Sequence, residues 1–240
     1  MNPKEEVEQL KEQLSALSIE DALSFLSEKF KENVVFSSSF GMEDQVITHY
    51  ILHHQLPIDI FTLDTGRIFE ETYQTWEKTN LKYHVNIQAY YPHAQKVEDL
   101  VQKYGPNCFY DSVELRKECC RIRKVEPLNR ALEGKKVWIT GLRAQQSPAR
   151  ENLEKIEWDE ANHIIKFHPL LYWKLEEVQE FIKNNKIPYN PLHDKGFISI
   201  GCAPCTRAIR EGEDFRAGRW WWEDQSKKEC GLHWNDTNEK

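Results

Sequence analysis

An alternation constrains this chain more than any other feature. Short apolar runs end in turns of small residues, and segments of helical period lie between the runs. Val34-Val-Phe36 leads into Ser37-Ser-Ser-Phe-Gly41, Asp59-Ile-Phe-Thr-Leu63 into Asp64-Thr-Gly66, and Val137-Trp-Ile-Thr140 into Gly141-Leu-Arg143. Tyr83, Val85 and Ile87 alternate as a further strand. The intervening 43–54, 68–80 and 94–103 read as helices, and 174–184 as one more. Apolar strands separated by helices predict an α/β fold, a Rossmann-like parallel sheet with helices on both faces. Two amphipathic helices precede it, 3–14 (Leu10, Leu14, then Leu17) and 18–31 (Ala22, Leu23, Leu26, Phe30), the second with Ser18 as its N-cap. Residues 153–168 read as a polar hairpin. The expected organisation is one domain over 1–210 and a flexible tail over 211–240, where charge, Gly and Trp220-Trp-Trp222 show no period.

The small-residue turns fall at the C-terminal ends of strands, the edge on which open α/β sheets bind ligands. The Ser37–Asp44 loop would present backbone N–H groups and a helix N-terminus to an anion. It matches neither the phosphate-binding GxxxxGK[ST] loop nor GxGxxG. Asp64-Thr-Gly-Arg67 and Gly141-Leu-Arg143, with Arg150 beyond, lie on the same expected edge. One such turn is ordinary; three together point to a nucleotide.

Composition narrows the setting. The chain has 240 residues, 40% of them hydrophobic, which is enough for a core. No stretch approaches the roughly 20 apolar residues of a membrane helix, and the polar start Met1-Asn-Pro-Lys-Glu-Glu lacks the profile of a secretion leader. A cytoplasmic protein with reduced cysteines is expected. The formal net charge of −7 argues against a nucleic-acid binder. Cations nevertheless concentrate beside cysteines: Arg116, Lys117, Arg121, Arg123 and Lys124 in one stretch, and Arg207, Arg210, Arg216 and Arg219 in another. A small anion fits such a distribution better than a polymer does.

Of six cysteines, four form two tight pairs, Cys119-Cys120 and Cys202-Ala-Pro-Cys205. Four thiolates can hold zinc or an iron–sulfur cluster. Helical neighbours point about 100° apart, which suits the separate corners of a [4Fe–4S] cubane better than one zinc ion. Cys230 stands apart, in the polar Glu229-Cys-Gly-Leu-His233. Nearby arginines and His233 would raise its thiolate fraction, as a nucleophile requires. Cys108 has no such company and reads as structural.

Ser37-Ser-Ser-Phe-Gly-Met-Glu-Asp44, Leu63-Asp-Thr-Gly-Arg67, Cys119-Cys-Arg-Ile-Arg-Lys124, Gly201-Cys-Ala-Pro-Cys205 and Glu229-Cys-Gly-Leu-His233 together closely resemble the assimilatory sulfonucleotide reductases. The pattern is most similar to their iron–sulfur, thioredoxin-dependent branch, which reduces adenylyl sulfate. The resemblance covers about residues 33–233. It implies an adenine nucleotide alpha hydrolase-like fold and a [4Fe–4S] cluster on Cys119, Cys120, Cys202 and Cys205. The adenosine would lie near Ser37, Ser38, Ser39, Leu63 and Gly141. The phosphosulfate would meet Lys124, Arg143, Arg150, Arg216, Arg219 and His233. Cys230 would attack sulfur and expel AMP, and thioredoxin would release sulfite from the resulting S-sulfocysteine. The 3′-phosphorylated nucleotide is the rival substrate, alone or in addition, although members using only that one generally lack the paired cysteines. A non-catalytic, metal-stabilised nucleotide-binding protein is the rival of another class. Neither a membrane nor nucleic acid is an expected partner, and self-association stays open.

Overall fold

The computed structural model describes residues 2–147, 150 and 152–223. Helices α1 (Pro3–Leu14) and α2 (Ile19–Phe30) open the chain. Each starts on a side-chain cap, Asn2 accepting from the Lys4 N–H and Ser18 from the Asp21 N–H. Such caps contribute about 1 kcal/mol each. Their buried leucines matter more: Leu10, Leu14, Leu23 and Leu26 are sealed from solvent, each contributing roughly 1.5–3 kcal/mol.

The order then runs β1 (Val34–Ser37), α3 (Met42–His53), β2 (Asp59–Leu63), α4 (Glu70–Tyr83), β3 (Gln88–Tyr90), α5 (Ala94–Tyr104), α6 (Val113–Cys120), α7 (Glu126–Leu132), β4 (Val137–Ile139), β5 (Ile156–Asp159), β6 (Ile164–Phe167) and α8 (Leu175–Asn184). The sheet order is β3-β2-β1-β4-β6-β5. β1 pairs in parallel with β2 and β4, and β4 with β6. The sheet is thus the mostly parallel one expected, but mixed, because β5 runs antiparallel to β6.

Two sequence expectations change here. The third strand is Gln88–Tyr90, since Tyr83 still belongs to α4 and Val85 to the following turn. The 153–168 hairpin is part of the main sheet, and all four residues of β6 are buried. Lys166 made it look polar. Its ammonium is buried 2.6 Å from the Asp159 carboxylate and over the Trp138 ring. Residues 113–132, to which the sequence reading assigns no element, form a continuous helical run in which Arg121–Val125 is a π-helical turn.

By contacts the described chain forms two compact units, one of residues 2–61, 72–88 and 134–190, the other of 62–71, 89–133 and 191–223. The first holds the main apolar core, built on β1, β4, β6 and helices α1–α3 and α8. The second has smaller clusters around Leu100, Cys108 and Ile122 and around Phe109, Cys205 and Trp220. Residues 211–223, expected to begin the tail, belong to this unit, and Trp220 is 1% exposed. The rest of the expected tail, 224–240, lies outside the described residues.

Candidate active site and cysteine centre

In the first unit the turn after β1 is held by its own side chains. Trp138 Nε1 donates to Ser37 Oγ at 2.8 Å. The Phe40 N–H donates to Ser38 Oγ, and the Ser38 N–H to the Phe61 carbonyl. Ser39 donates both its N–H and its hydroxyl to one oxygen of Asp44, each at 2.6 Å. Phe40 takes a left-handed backbone (φ 60°) to close the turn, an unusual conformation for a residue with a Cβ. Burial raises the Asp44 carboxyl to about 6 despite its Ser39 hydrogen bonds. Gly141, just after β4, faces the same carboxylate. A Cβ there would lie 2.1 Å from Asp44 Oδ1, so only glycine fits.

Two expected anion-binding arginines also sit in this unit. Arg143 is buried and its Nε donates to Glu43 Oε1 at 2.7 Å. Arg150 donates through Nη1 to Gln146 Oε1. The positive charge of Arg143 is therefore already balanced locally.

In the second unit α6 presents Cys119 and Cys120, and the Gly201–Cys205 turn presents Cys202 and Cys205. The four cysteines line one cavity of about 320 Å³, partly open to solvent, together with Arg67, Phe109, Arg116, Arg123, Lys124 and Pro204. A π-helical turn adds a residue relative to an α-turn and is frequent at functional sites. Here it carries Arg123 and Lys124. Arg123 Nη1 donates to the Thr65 carbonyl at 2.6 Å, and Arg67 to Asn107 Oδ1 and the Pro106 carbonyl. Neither has a carboxylate partner among the described residues. Arg116 differs, forming a buried two-point pair with Glu223. Thr65 Oγ1 lies 3.2 Å from Cys202 Sγ.

Burial pushes the Cys205 thiol up to about 12, Cys202 adding to the rise and Lys124 and Arg219 opposing it. Burial also raises Cys119, against the pull of Arg123. As thiols these groups would stay protonated, whereas a bound metal deprotonates its thiol ligands outright. The donor set and its uncompensated cations fit a centre whose thiolates bring net negative charge. Among the described residues no three His, Cys, Asp or Glu side chains are arranged to hold a single metal ion. The described cysteines are all free of disulfides.

Arg216 and Arg219 belong to this unit as well. With Arg116 they surround the buried Trp220 indole, their guanidinium carbons 5.8, 4.7 and 4.7 Å from the ring centroid. Arg219 lies on the backbone of Gly201, where a Cβ would sit 2.3 Å from Nη2. Leu63 ends β2, and Cys230 and His233 lie outside the described residues. The sequence places Arg116 and Arg123 among the cations beside the cysteines, but sequence reasoning missed Asp44, Thr65, Arg67 and Trp220 as parts of these sites. Asp44, Thr65 and Arg67 stand inside the quoted motifs, so their position was the available signal.

A mostly parallel sheet with small-residue turns after its strands, and a cation-rich cavity lined by four cysteines, define the class as an α/β protein with a cysteine-lined pocket. The phosphoadenosine phosphosulfate reductase domain family matches residues 33–208, and the chain belongs to that family. An adenosine 5′-phosphosulfate reductase of Allochromatium vinosum is 52% identical over 88% of this chain and 84% of its own length. Another, from Burkholderia cepacia, is 50% identical over 84% and 81%. Among solved structures, a phosphoadenylyl-sulfate reductase from Candida auris superimposes with a TM-score of 0.72 at 28% identity, covering 85% of this chain and 97% of that one. A Candida glabrata FMN adenylyltransferase shares the fold alone, with a TM-score of 0.53 at 19% identity over 85% and 71% of the two chains.

Proposed function

We propose that this chain reduces adenosine 5′-phosphosulfate to sulfite and AMP in sulfate assimilation. The observation that carries this reading is the identity of about one half, over more than four-fifths of each chain, to reductases named for that nucleotide. The Cys230 thiolate attacks the sulfur, an S–S bond forms, and the S–O bond to AMP breaks. A thioredoxin thiolate then attacks Cys230 sulfur and releases sulfite. The second thioredoxin thiol resolves the mixed disulfide, so two electrons come from the dithiol.

The proposed substrate contacts are those named from the sequence pattern. In the first unit they are Ser37, Ser38, Ser39, Gly141, Arg143 and Arg150. In the second they are Leu63, Lys124, Arg216 and Arg219, with His233 beyond the described residues. Cys119, Cys120, Cys202 and Cys205 would hold a [4Fe–4S] cluster, supported by the shared cavity and its cations. When bound, such a cluster would supply a compact, charged anchor, and it need not pass electrons, since thiol exchange supplies the reducing equivalents. The residues around it act on their own account. Arg123 and Lys124 keep positive charge beside it, and Gly201 leaves room for the Arg219 guanidinium. A reducing compartment, the cytoplasm, suits this chemistry. Among the described residues no helix is long and apolar enough to cross a membrane.

The test is trapping. Incubation with adenosine 5′-phosphosulfate and no reductant should add one sulfonate to Cys230, read by mass spectrometry; a different acceptor, or none, removes the mechanism. Use of the 3′-phosphorylated nucleotide is a second reading, favoured by the matched family and the Candida auris likeness. Competition between the two nucleotides decides it.

A further inference from the structure

The turn after β1 is built as an anion receptor, yet its occupant belongs to the chain. A strand entering a helix through small residues offers N–H groups and the positive end of the helix to an anion. Here the Ser39 N–H and hydroxyl both point to Asp44, and the Gly41 N–H adds a further favourable contact. Asp44 is third in α3, a position from which an acid often caps the preceding turn. An exposed carboxylate would do that at little cost. This one is 8% exposed, packed where a Gly141 Cβ would go, and unpaired with any cation among the described residues. A buried charge without a cation is expensive, so capping alone does not account for it.

We propose that Asp44 is a specificity-determining residue, an anion built into the chain that bars di- and triphosphate groups from the turn after β1. A pyrophosphate entering there would find its donors engaged and would face a like charge in a poorly solvated place. The inference rests on the reading of this edge as a nucleotide site. It adds that the turn rejects nucleotides carrying a polyphosphate, so that adenosine 5′-phosphosulfate is preferred over ATP.

Inorganic pyrophosphate is the probe, titrated calorimetrically into the full chain. Wild type should show no saturable binding up to about 1 mM, and Asp44→Ala should bind at least about tenfold more tightly, the ratio corresponding to about 1.4 kcal/mol. Asp44→Asn, which removes the charge and keeps an acceptor for Ser39, should fall between them. It decides the matter if Asp44→Ala fails to melt cooperatively. Pyrophosphate binding equal in wild type and the cooperatively melting variant overturns the inference, as does wild type binding pyrophosphate as tightly as AMP. Absence of sulfite formation by wild type would instead remove the reading of function and leave the pyrophosphate comparison standing.

Discussion

In the first unit, charge is matched within the unit or kept from water by hydrogen bonds. Arg143 is paired with Glu43, Lys166 with Asp159, and Asp44 takes the Ser39 donors. In the second, Arg67 and Arg123 are held by uncharged oxygens and Arg219 by an indole face. Arginines placed this way keep their full charge beside four cysteines, Cys205 buried and the other three half-buried. The contrast separates two kinds of polar burial. A turn whose groups satisfy one another is ready to exclude a further anion, whereas a cavity left with net positive charge is ready to accept an anionic ligand.

The sharpest test is at Cys230, which lies outside the described residues. Cys230→Ser should lower sulfite formation to background, a loss of roughly 10³-fold or more for a nucleophile, with absorbance near 400 nm unchanged. Substantial turnover would show that another thiol reacts. Cys202→Ser should do the reverse, removing the 400 nm band and lowering thermal stability, as expected when a thiolate ligand is lost. A brown, fully loaded variant would show that the four cysteines do not form one centre.

Two glycine substitutions compare the units directly. Gly201→Ala places a methyl 2.3 Å from Arg219 Nη2 and must move that guanidinium. The expected loss is about 10-fold or more in kcat/KM, the equivalent of 1.4 kcal/mol, with little change in Tm. Gly141→Ala meets Asp44 at 2.1 Å, an overpacking that typically costs about 1–3 kcal/mol, read as a fall in Tm. Equal Tm effects at both positions would erase the distinction between a packed turn and an adaptable cation.

The smallest effect is on pH dependence. The folded Asp44 pKa, about 6, lies above the ordinary 3.8. The folded chain therefore binds that proton first, and this group's contribution to stability falls as pH rises from about 4 to 6. His49, lowered to about 4 mainly by burial, contributes the opposite slope, losing stability as pH falls from 6.5. The difference between wild type and Asp44→Asn isolates the carboxylate. The variant should gain relative stability with rising pH across that window, and a constant difference in Tm would show that Asp44 does not titrate there.

Much of this protein is legible along the chain. The strands β1, β2 and β4 and the helices α1–α5 and α8 follow from periodicity, because the period of apolar residues records which face is buried. The paired cysteines and their cations follow from residue chemistry at short spacing. Three-dimensional packing decided the rest. Lys166 hides in a buried strand because Asp159, across the hairpin on β5, and Trp138, distant in sequence on β4, complete its surroundings. The π-helical turn after Cys120 leaves no periodic trace in so short a polar stretch. Asp44, third in its helix, reads as an ordinary cap until β4 brings Gly141 against it. Local order is written in spacing, but the balance of a buried charge depends on what the fold places beside it, and no single segment carries that information.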